Sequence, residues 1–149
     1  MTGQEGVSVE CVLCDVYDHR DEADSHVVVV GGTVFTMLNK FPYSSGHLMV
    51  VPVRHVRSLP ELDDAELLDA MHAVGQAMKV LEQVYGPDGF NVGINDGEAA
   101  GASLPHIHIH VVPRWSGDTN FMPVISGTKV MPESLTDSAV RLREAYHNL

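Results

Sequence analysis

Cysteine and basic residues are scarce in this 149-residue chain, which has two cysteines and nine lysines and arginines against twenty aspartates and glutamates. Two cysteines cannot build the disulfide framework of a small secreted protein. A net charge of −11 argues against a nucleic-acid partner, because such binding depends on Lys and Arg side chains that neutralise phosphates. A small polyphosphate ligand needs only a local positive potential and stays compatible with this charge.

Long hydrophobic runs are also missing, so we expect no membrane-spanning segment and no membrane partner. The first residues have neither the basic start nor the apolar stretch of a secretory signal. We therefore expect a cytoplasmic protein in which Cys11 and Cys14 are reduced. The aperiodic residues 1–9 are expected to form a flexible N-terminus, and the length suits a single domain over residues 10–149.

Five strands are predicted from runs of β-branched and aromatic residues and from the alternation of apolar and polar residues. Gly31 and Gly32 separate the first two runs, as in a hairpin with a tight turn. The predicted strands cover residues 27–30, 33–38, 47–52, 90–95 and 106–112.

Two helices are predicted from apolar residues at three- and four-residue steps. The longer covers residues 62–85, begins with a capping box of Asp63 and Glu66, and stops at Gly86. A shorter amphipathic helix covers residues 136–147. The order of these elements predicts an α+β fold, in which a five-stranded antiparallel sheet carries one long helix and a C-terminal helix on one face.

Three histidines in five residues are the most informative feature of the sequence. In an extended strand, side chains alternate between faces, so His106, His108 and His110 would project on one side. The intervening apolar residues would fix the strand to the core. Such a row is compatible with a solvated polar face, with a metal site, or with covalent catalysis in which one imidazole attacks phosphorus.

The sequences around these histidines resemble the histidine triad superfamily. The resemblance covers about residues 11–125 and rests on the Gly-His strand at residues 46–52 and on the His-φ-His-φ-His-φ-φ pattern that begins at His106. Residues 90–95 and 112–121 are most similar to a bacterial branch related to diadenosine tetraphosphate phosphorylases and fragile histidine triad hydrolases. Ser103-Leu104-Pro105, just before the triad, looks more like the hydrolase branches.

This resemblance implies a homodimeric, HIT-like fold and a nucleotidyl hydrolase or transferase. The substrate would be a dinucleoside polyphosphate or an AMP conjugate, with adenosine as the expected nucleoside. His108 would be the nucleophile of a nucleotidyl-histidine intermediate, with retention at phosphorus overall. The other implied site residues are His110 for the phosphate oxygens and leaving group, His47 as its support, Ser103 and Asn95 for phosphate and leaving group, and Asn39 for the ribose. A nucleotide-binding or signalling module with little turnover is the alternative.

Cys11-x-x-Cys14, His55 and His106 resemble the structural zinc site of many bacterial members of this superfamily. Two thiolates and two imidazoles complete a closed tetrahedral shell, so such a site is expected to be separate from the chemistry. A redox role of the cysteine pair and a hydrolase with the triad as metal ligands are the alternatives. No Gly-x-x-x-x-Gly-Lys-Ser/Thr motif occurs, and we expect no organic cofactor.

Overall fold

The structure, a computed structural model, describes residues 11–40, 45–118 and 133–149. Residues 1–9, predicted to be flexible, lie outside this part of the chain. The helices described are α1 (Val12–Asp18), α2 (Asp64–Tyr85) and α3 (Leu135–His147), with short 3₁₀ helices at Leu59–Glu61 and Glu98–Ala100. The strands are β1 (Val27–Val30), β2 (Val34–Leu38), β3 (Leu48–Pro52), β4 (Gly89–Ile94) and β5 (Ile109–Arg114). None of the helices in the described segments is long and apolar enough to cross a membrane.

The strands form one antiparallel sheet in the order β1-β2-β3-β5-β4. This confirms the predicted α+β class and the five-stranded antiparallel sheet. The predicted hairpin turn is also present, since the Gly31 N–H donates to the Val34 carbonyl at 2.8 Å.

The two faces of the sheet are covered by different helices. On one face, buried residues of the strands, among them Val28, Val50 and Val111, pack with residues of α2 and α3. On the other face, Phe35 and Met49 pack with the segment of α1. The prediction that the two longer helices share one face is confirmed, and α1, which the sequence did not predict, lies on the opposite face.

The capping box predicted for α2 is present. The Glu66 N–H donates to Oδ1 of Asp63 at 2.8 Å, and Oε1 of Glu66 accepts from the Asp63 N–H at 2.9 Å. Arg54 donates to both carboxylate oxygens of the buried Glu66, at 3.0 and 2.8 Å. The loop after β3 is therefore fixed to the N-terminus of α2.

The limits predicted for the last strand are wrong. β5 begins at Ile109 instead of residue 106, because the Ile107 N–H donates to the Val56 carbonyl outside the sheet, at 2.8 Å. It also continues through Pro113, which pairs with Phe90 of β4 beyond the stretch where β5 pairs with β3. A proline is tolerated where no neighbouring strand needs an N–H from that position. The other predicted elements begin and end within two residues of the observed ones.

Gly46 leads into β3 with φ +85°, and an added Cβ would lie 2.9 Å from side-chain atoms of Leu81 and Tyr85. We expect Gly46→Ala to lower the free energy of unfolding by about 1–3 kcal/mol through backbone strain and overpacking. Gly75, in the middle of α2, has open space around its Cα, so Gly75→Ala should raise the free energy of unfolding by up to about 1 kcal/mol. Urea unfolding measures both, and a Gly46→Ala protein as stable as the wild type would contradict the close packing.

Candidate active site and metal cluster

β5 carries His110 into the sheet beside β3 and β4. His110 pairs with Met49 on one side and Gly93 on the other. Residues directly opposite in a sheet share a face, so the His110 ring lies on the face where Met49 packs with the α1 segment. His108 lies two residues earlier in the chain, and its ring centroid is 4.9 Å from that of His110. Two of the three triad imidazoles are thus adjacent on the α1 face.

The tautomer of His108 is fixed by a backbone contact. Its Nδ1 lies 2.8 Å from the carbonyl oxygen of His106. A carbonyl oxygen only accepts, so the neutral ring carries its proton on Nδ1 and has a lone pair on Nε2. His108 is buried. The structure thus holds an oriented imidazole whose Nε2 can act as a nucleophile.

His47 and Asn39 lie next to His110. Nε2 of the buried His47 is 3.0 Å from Nδ1 of His110, and the Asn39 amide nitrogen is 3.3 Å from His47 Nε2. Burial, with repulsion from His110 and His108, lowers the pKa of His47 to about 4. Burial and His108 also lower the pKa of His110. Both rings are therefore neutral at pH 7 and can share one proton along their contact.

Asn95 and Ser103, the other predicted site residues, lie on the surface. Asn95 follows Ile94, whose partner in the sheet is Ile109, the residue after His108. The Asn95 side chain lies beside Gly101, since a Cβ added to that glycine would lie 3.6 Å from the Asn95 amide nitrogen. Ser103 lies in the loop before the triad, five positions before His108. The structure brings Asn39 and the site histidines into contact, whereas Ser103 is placed near them only by sequence.

The third triad residue, His106, belongs to a second cluster. Its Nδ1 lies 3.3 Å from Sγ of Cys11, 3.7 Å from Sγ of Cys14 and 3.2 Å from Nδ1 of His55. Sγ of Cys14 is 3.5 Å from Nδ1 of His55. One donor atom from each of the four residues lies within 4.8 Å of every other, so this predicted set could hold a metal ion.

Local structure explains why these four side chains meet. Cys11 is the N-cap of α1, where its Sγ accepts from the Cys14 N–H at 3.3 Å, so both thiols lie at one end of the helix. The His106 Nε2 donates to the Pro52 carbonyl at 2.8 Å, which leaves the Nδ1 lone pair facing the cluster. Burial lowers the pKa of His106 to about 4, and burial together with Cys11 raises the pKa of Cys14 to about 12. At neutral pH, His106 is therefore neutral and Cys14 keeps its proton.

Two supporting contacts of the cluster were missed from the sequence. The Pro52 carbonyl orients His106, and Arg54, held by Glu66, fixes the loop that carries His55. A contact to a backbone carbonyl cannot be recognised in a sequence, because every residue has this group. The pairing of Arg54 with Glu66 could have been suggested by the capping box, since a buried cap carboxylate needs further partners.

Comparison with known proteins assigns this fold and site to a class. The HIT domain model matches residues 20–117, and the chain belongs to the histidine triad family. A protein of Mycobacterium tuberculosis named AP-4-A phosphorylase is 50% identical over 113 residues, which are 75% of this chain and 58% of that protein. The chain therefore spans less than two thirds of that relative.

Two further proteins are similar over different shares of the chain. The asymmetrical bis(5'-nucleosyl)-tetraphosphatase of Schizosaccharomyces pombe is 36% identical over 96 residues, which are 60% of this chain and 53% of that protein. A crystal structure of a Zn-bound histidine triad family protein from Mycobacterium smegmatis has a TM-score of 0.75 and 29% identity. It covers 95% of this chain and 96% of the other, so the similarity extends beyond the triad.

The lowered pKa of His47 predicts a loss of stability in acid. Its folded pKa of about 4 lies below the unfolded value of 6.5, so its contribution to the free energy of unfolding is complete above about pH 6.5 and is lost as the pH falls towards 4. The loss amounts to at most roughly 3 kcal/mol. Urea unfolding from pH 7 to pH 4 should show a steeper decline for the wild type than for His47→Gln. Parallel curves would contradict the buried, neutral His47.

Proposed function

We propose that the protein is a nucleotidyl hydrolase or transferase that attacks the α-phosphate of a dinucleoside polyphosphate or an AMP conjugate with His108. The observation that carries this proposal is the 2.8 Å contact of His108 Nδ1 with the His106 carbonyl, which leaves Nε2 as the nucleophilic atom. The names of the M. tuberculosis and S. pombe relatives, a phosphorylase and a tetraphosphatase, support this substrate class. The negative net charge of the chain suits a small ligand better than a nucleic acid.

The reaction has two displacements at one phosphorus. In the first, the His108 Nε2 lone pair forms a bond to the α-phosphorus while the bond to the bridging oxygen of the leaving group breaks. From a dinucleoside polyphosphate, the leaving group departs with that electron pair as a nucleoside phosphate; from an AMP conjugate, the conjugated group departs in the same way with the electrons of its own bond to phosphorus. In the second, water or inorganic phosphate attacks the same phosphorus, the P–N bond breaks, and Nε2 regains its lone pair. Water gives AMP and releases a proton, whereas phosphate gives ADP.

The resemblance to the histidine triad family supplies roles for the neighbours of His108. His110 faces the phosphate oxygens and leaving group, and the adjacent His47 fixes its ring through the 3.0 Å contact. Asn39, beside His47, binds the ribose hydroxyls of an adenosine. Asn95 and Ser103 contact the phosphates and the leaving group. Such a displacement depends on positioning and charge neutralisation, which these polar groups supply.

The proposal includes a structural zinc ion held by Cys11, Cys14, His55 and His106. Bond lengths of about 2.3 Å for Zn–S and about 2.0 Å for Zn–N place tetrahedral donors roughly 3.3 to 3.8 Å apart. The nitrogen–nitrogen contact of 3.2 Å and the sulfur–nitrogen contacts of 3.3 to 3.7 Å are close to this range. Zinc would join the start of α1 to the loop after β3. A cytoplasmic location, where thiols stay reduced, suits this site.

Product chromatography tests the reaction with diadenosine tri- and tetraphosphate and AMP-lysine, each with and without inorganic phosphate. We expect the wild type to release AMP, or ADP only when phosphate is present, and His108→Ala to lose this activity at least a thousandfold. His147→Ala, which removes an exposed histidine of α3, is the matched control and should keep full activity. Nucleotide binding without turnover by the wild type would contradict the catalytic proposal and favour a binding module.

We also propose that two copies form a homodimer that joins their sheets at β4. In the described part of the chain, β4 lies at one edge of the sheet, and its Val92 is 46% exposed. An exposed edge strand offers N–H and C=O groups to a second strand.

Light scattering tests the dimer. We expect twice the chain mass for the wild type, and a shift towards the monomer for Val92→Lys because a charge at the joined edge opposes pairing. Val140→Lys is the matched control, since Val140 is also exposed, at 57%, but lies on α3, and the variant should stay dimeric. A monomeric wild type at micromolar concentration would contradict the proposal.

A further inference from the structure

We infer that Asp96 is a positioning residue, which holds the loop that carries Asn95 and Ser103 in place for the substrate. This loop, residues 95–103, follows β4 and is called the site loop below. Asn95, Asp96 and Ser103 are all exposed, so their positions depend on how the loop is fixed to the rest of the molecule. The inference rests on the proposed function, in which Asn95 and Ser103 contact the phosphates and the leaving group.

The carboxylate of Asp96 joins the site loop to the 3₁₀ helix Leu59–Glu61. Its Oδ2 accepts from the Ser58 hydroxyl at 3.0 Å and from the Leu59 N–H at 3.0 Å. Ser58 is the N-cap of that helix, and the first N–H groups of a helix have no partner within it. Asp96 therefore caps a helix that belongs to a different loop, the one between β3 and α2.

The 3₁₀ helix is itself fixed to the core. Arg54 donates to the Glu61 carbonyl at 2.8 Å, and the same guanidinium group is held by the buried Glu66. The next residue, Leu62, is buried and packs with Ile107. Asp96 is thus bonded to a support that is anchored by an ion pair and by apolar packing.

The site loop is compact, so one anchor can hold several of its residues. The Ala102 N–H donates to the Gly97 carbonyl at 3.1 Å, which closes the chain around the 3₁₀ helix Glu98–Ala100. Gly97 and Gly101 have φ values of +101° and +102°, which favour glycine and permit this tight turn. The Asn95 side chain lies beside Gly101. The two proposed substrate contacts therefore flank one closed unit, and Asp96 is its bond to the support.

The expected consequence of losing this bond is a loss of rate. A small displacement of groups that contact a reacting substrate lowers the rate strongly, because the reaction depends on their orientation. Contacts to a leaving group gain strength as its bond breaks, so their loss affects kcat more than KM. The His47–His110 contact and the hydrogen bond of His108 lie outside the site loop and stay intact. We therefore expect a partial effect, with kcat lower by about tenfold.

The kinetic test compares Asp96→Ala with Asp88→Ala, using product chromatography with diadenosine tetraphosphate. Asp88 is the matched control, since it is also exposed, lies just before β4 at the opposite end of that strand, and accepts from the Ser116 N–H at 2.8 Å. We expect kcat to fall about tenfold in Asp96→Ala and to stay unchanged in Asp88→Ala. An unchanged kcat in Asp96→Ala, or equal losses in the two variants, would overturn the inference.

A conservative variant separates positioning from charge. Asp96→Asn keeps a carbonyl oxygen that can accept from Ser58 and Leu59, but it removes the negative charge. We expect its kcat to lie within about twofold of the wild-type value. A loss as large as that of Asp96→Ala would show that the charge of Asp96 is what matters and would contradict a positioning role.

NMR of ¹⁵N-labelled protein with AMP gives a readout that needs no turnover. We expect AMP to shift the Asn95 side-chain amide in the wild type and to shift it less in Asp96→Ala. The backbone amides of Gly97 and Gly101 should have lower heteronuclear NOE values in Asp96→Ala than in Asp88→Ala. If these differences appear but the wild type is inactive, the proposed reaction fails and the role of Asp96 stands. Equal order of the site loop in both variants would overturn the inference.

Discussion

The hydrogen bond between Nδ1 of His108 and the carbonyl oxygen of His106 is the contact on which the account of this site depends. It decides which ring nitrogen keeps a lone pair, and it is made by the backbone of a residue whose side chain is one of the four metal-binding donors of the cluster. Because one residue serves both sites, the alternation of the triad has two functions. It directs one imidazole towards the cluster, and in the proposed function it leaves the next two for the substrate.

The two faces of the sheet have different roles in maintaining this arrangement. Packing of α2 and α3 buries one face and supplies most of the core. The other face carries α1, the cluster and the site histidines. The buried polar groups of this second face are costly unless they are paired, and His47, His106 and His108 each contact another polar group. These contacts orient the imidazoles, and burial lowers the pKa of His47 and of His106 to about 4, so both are neutral at pH 7.

Much of the fold could be predicted from the sequence because its elements are long enough to show a period. The capping box and the stripe of α2 are examples. The seven residues of α1 are too few for such a pattern. The predicted last strand begins too early, at His106, because the alternation of residue types continues where the backbone has left the sheet. The members of the site followed from residue types and family resemblance. Their link through His106 could not be predicted, since it depends on carbonyl groups that every residue has.

The most direct test of the central claim is the stereochemistry at phosphorus. The substrate is a dinucleoside polyphosphate made chiral at the attacked α-phosphorus by sulfur, and the product is formed in isotopically labelled water. Each in-line displacement inverts the phosphorus, so two displacements through His108 restore the original configuration. We therefore predict retention. Inversion would show a single direct attack by water and would contradict a nucleotidyl-histidine intermediate.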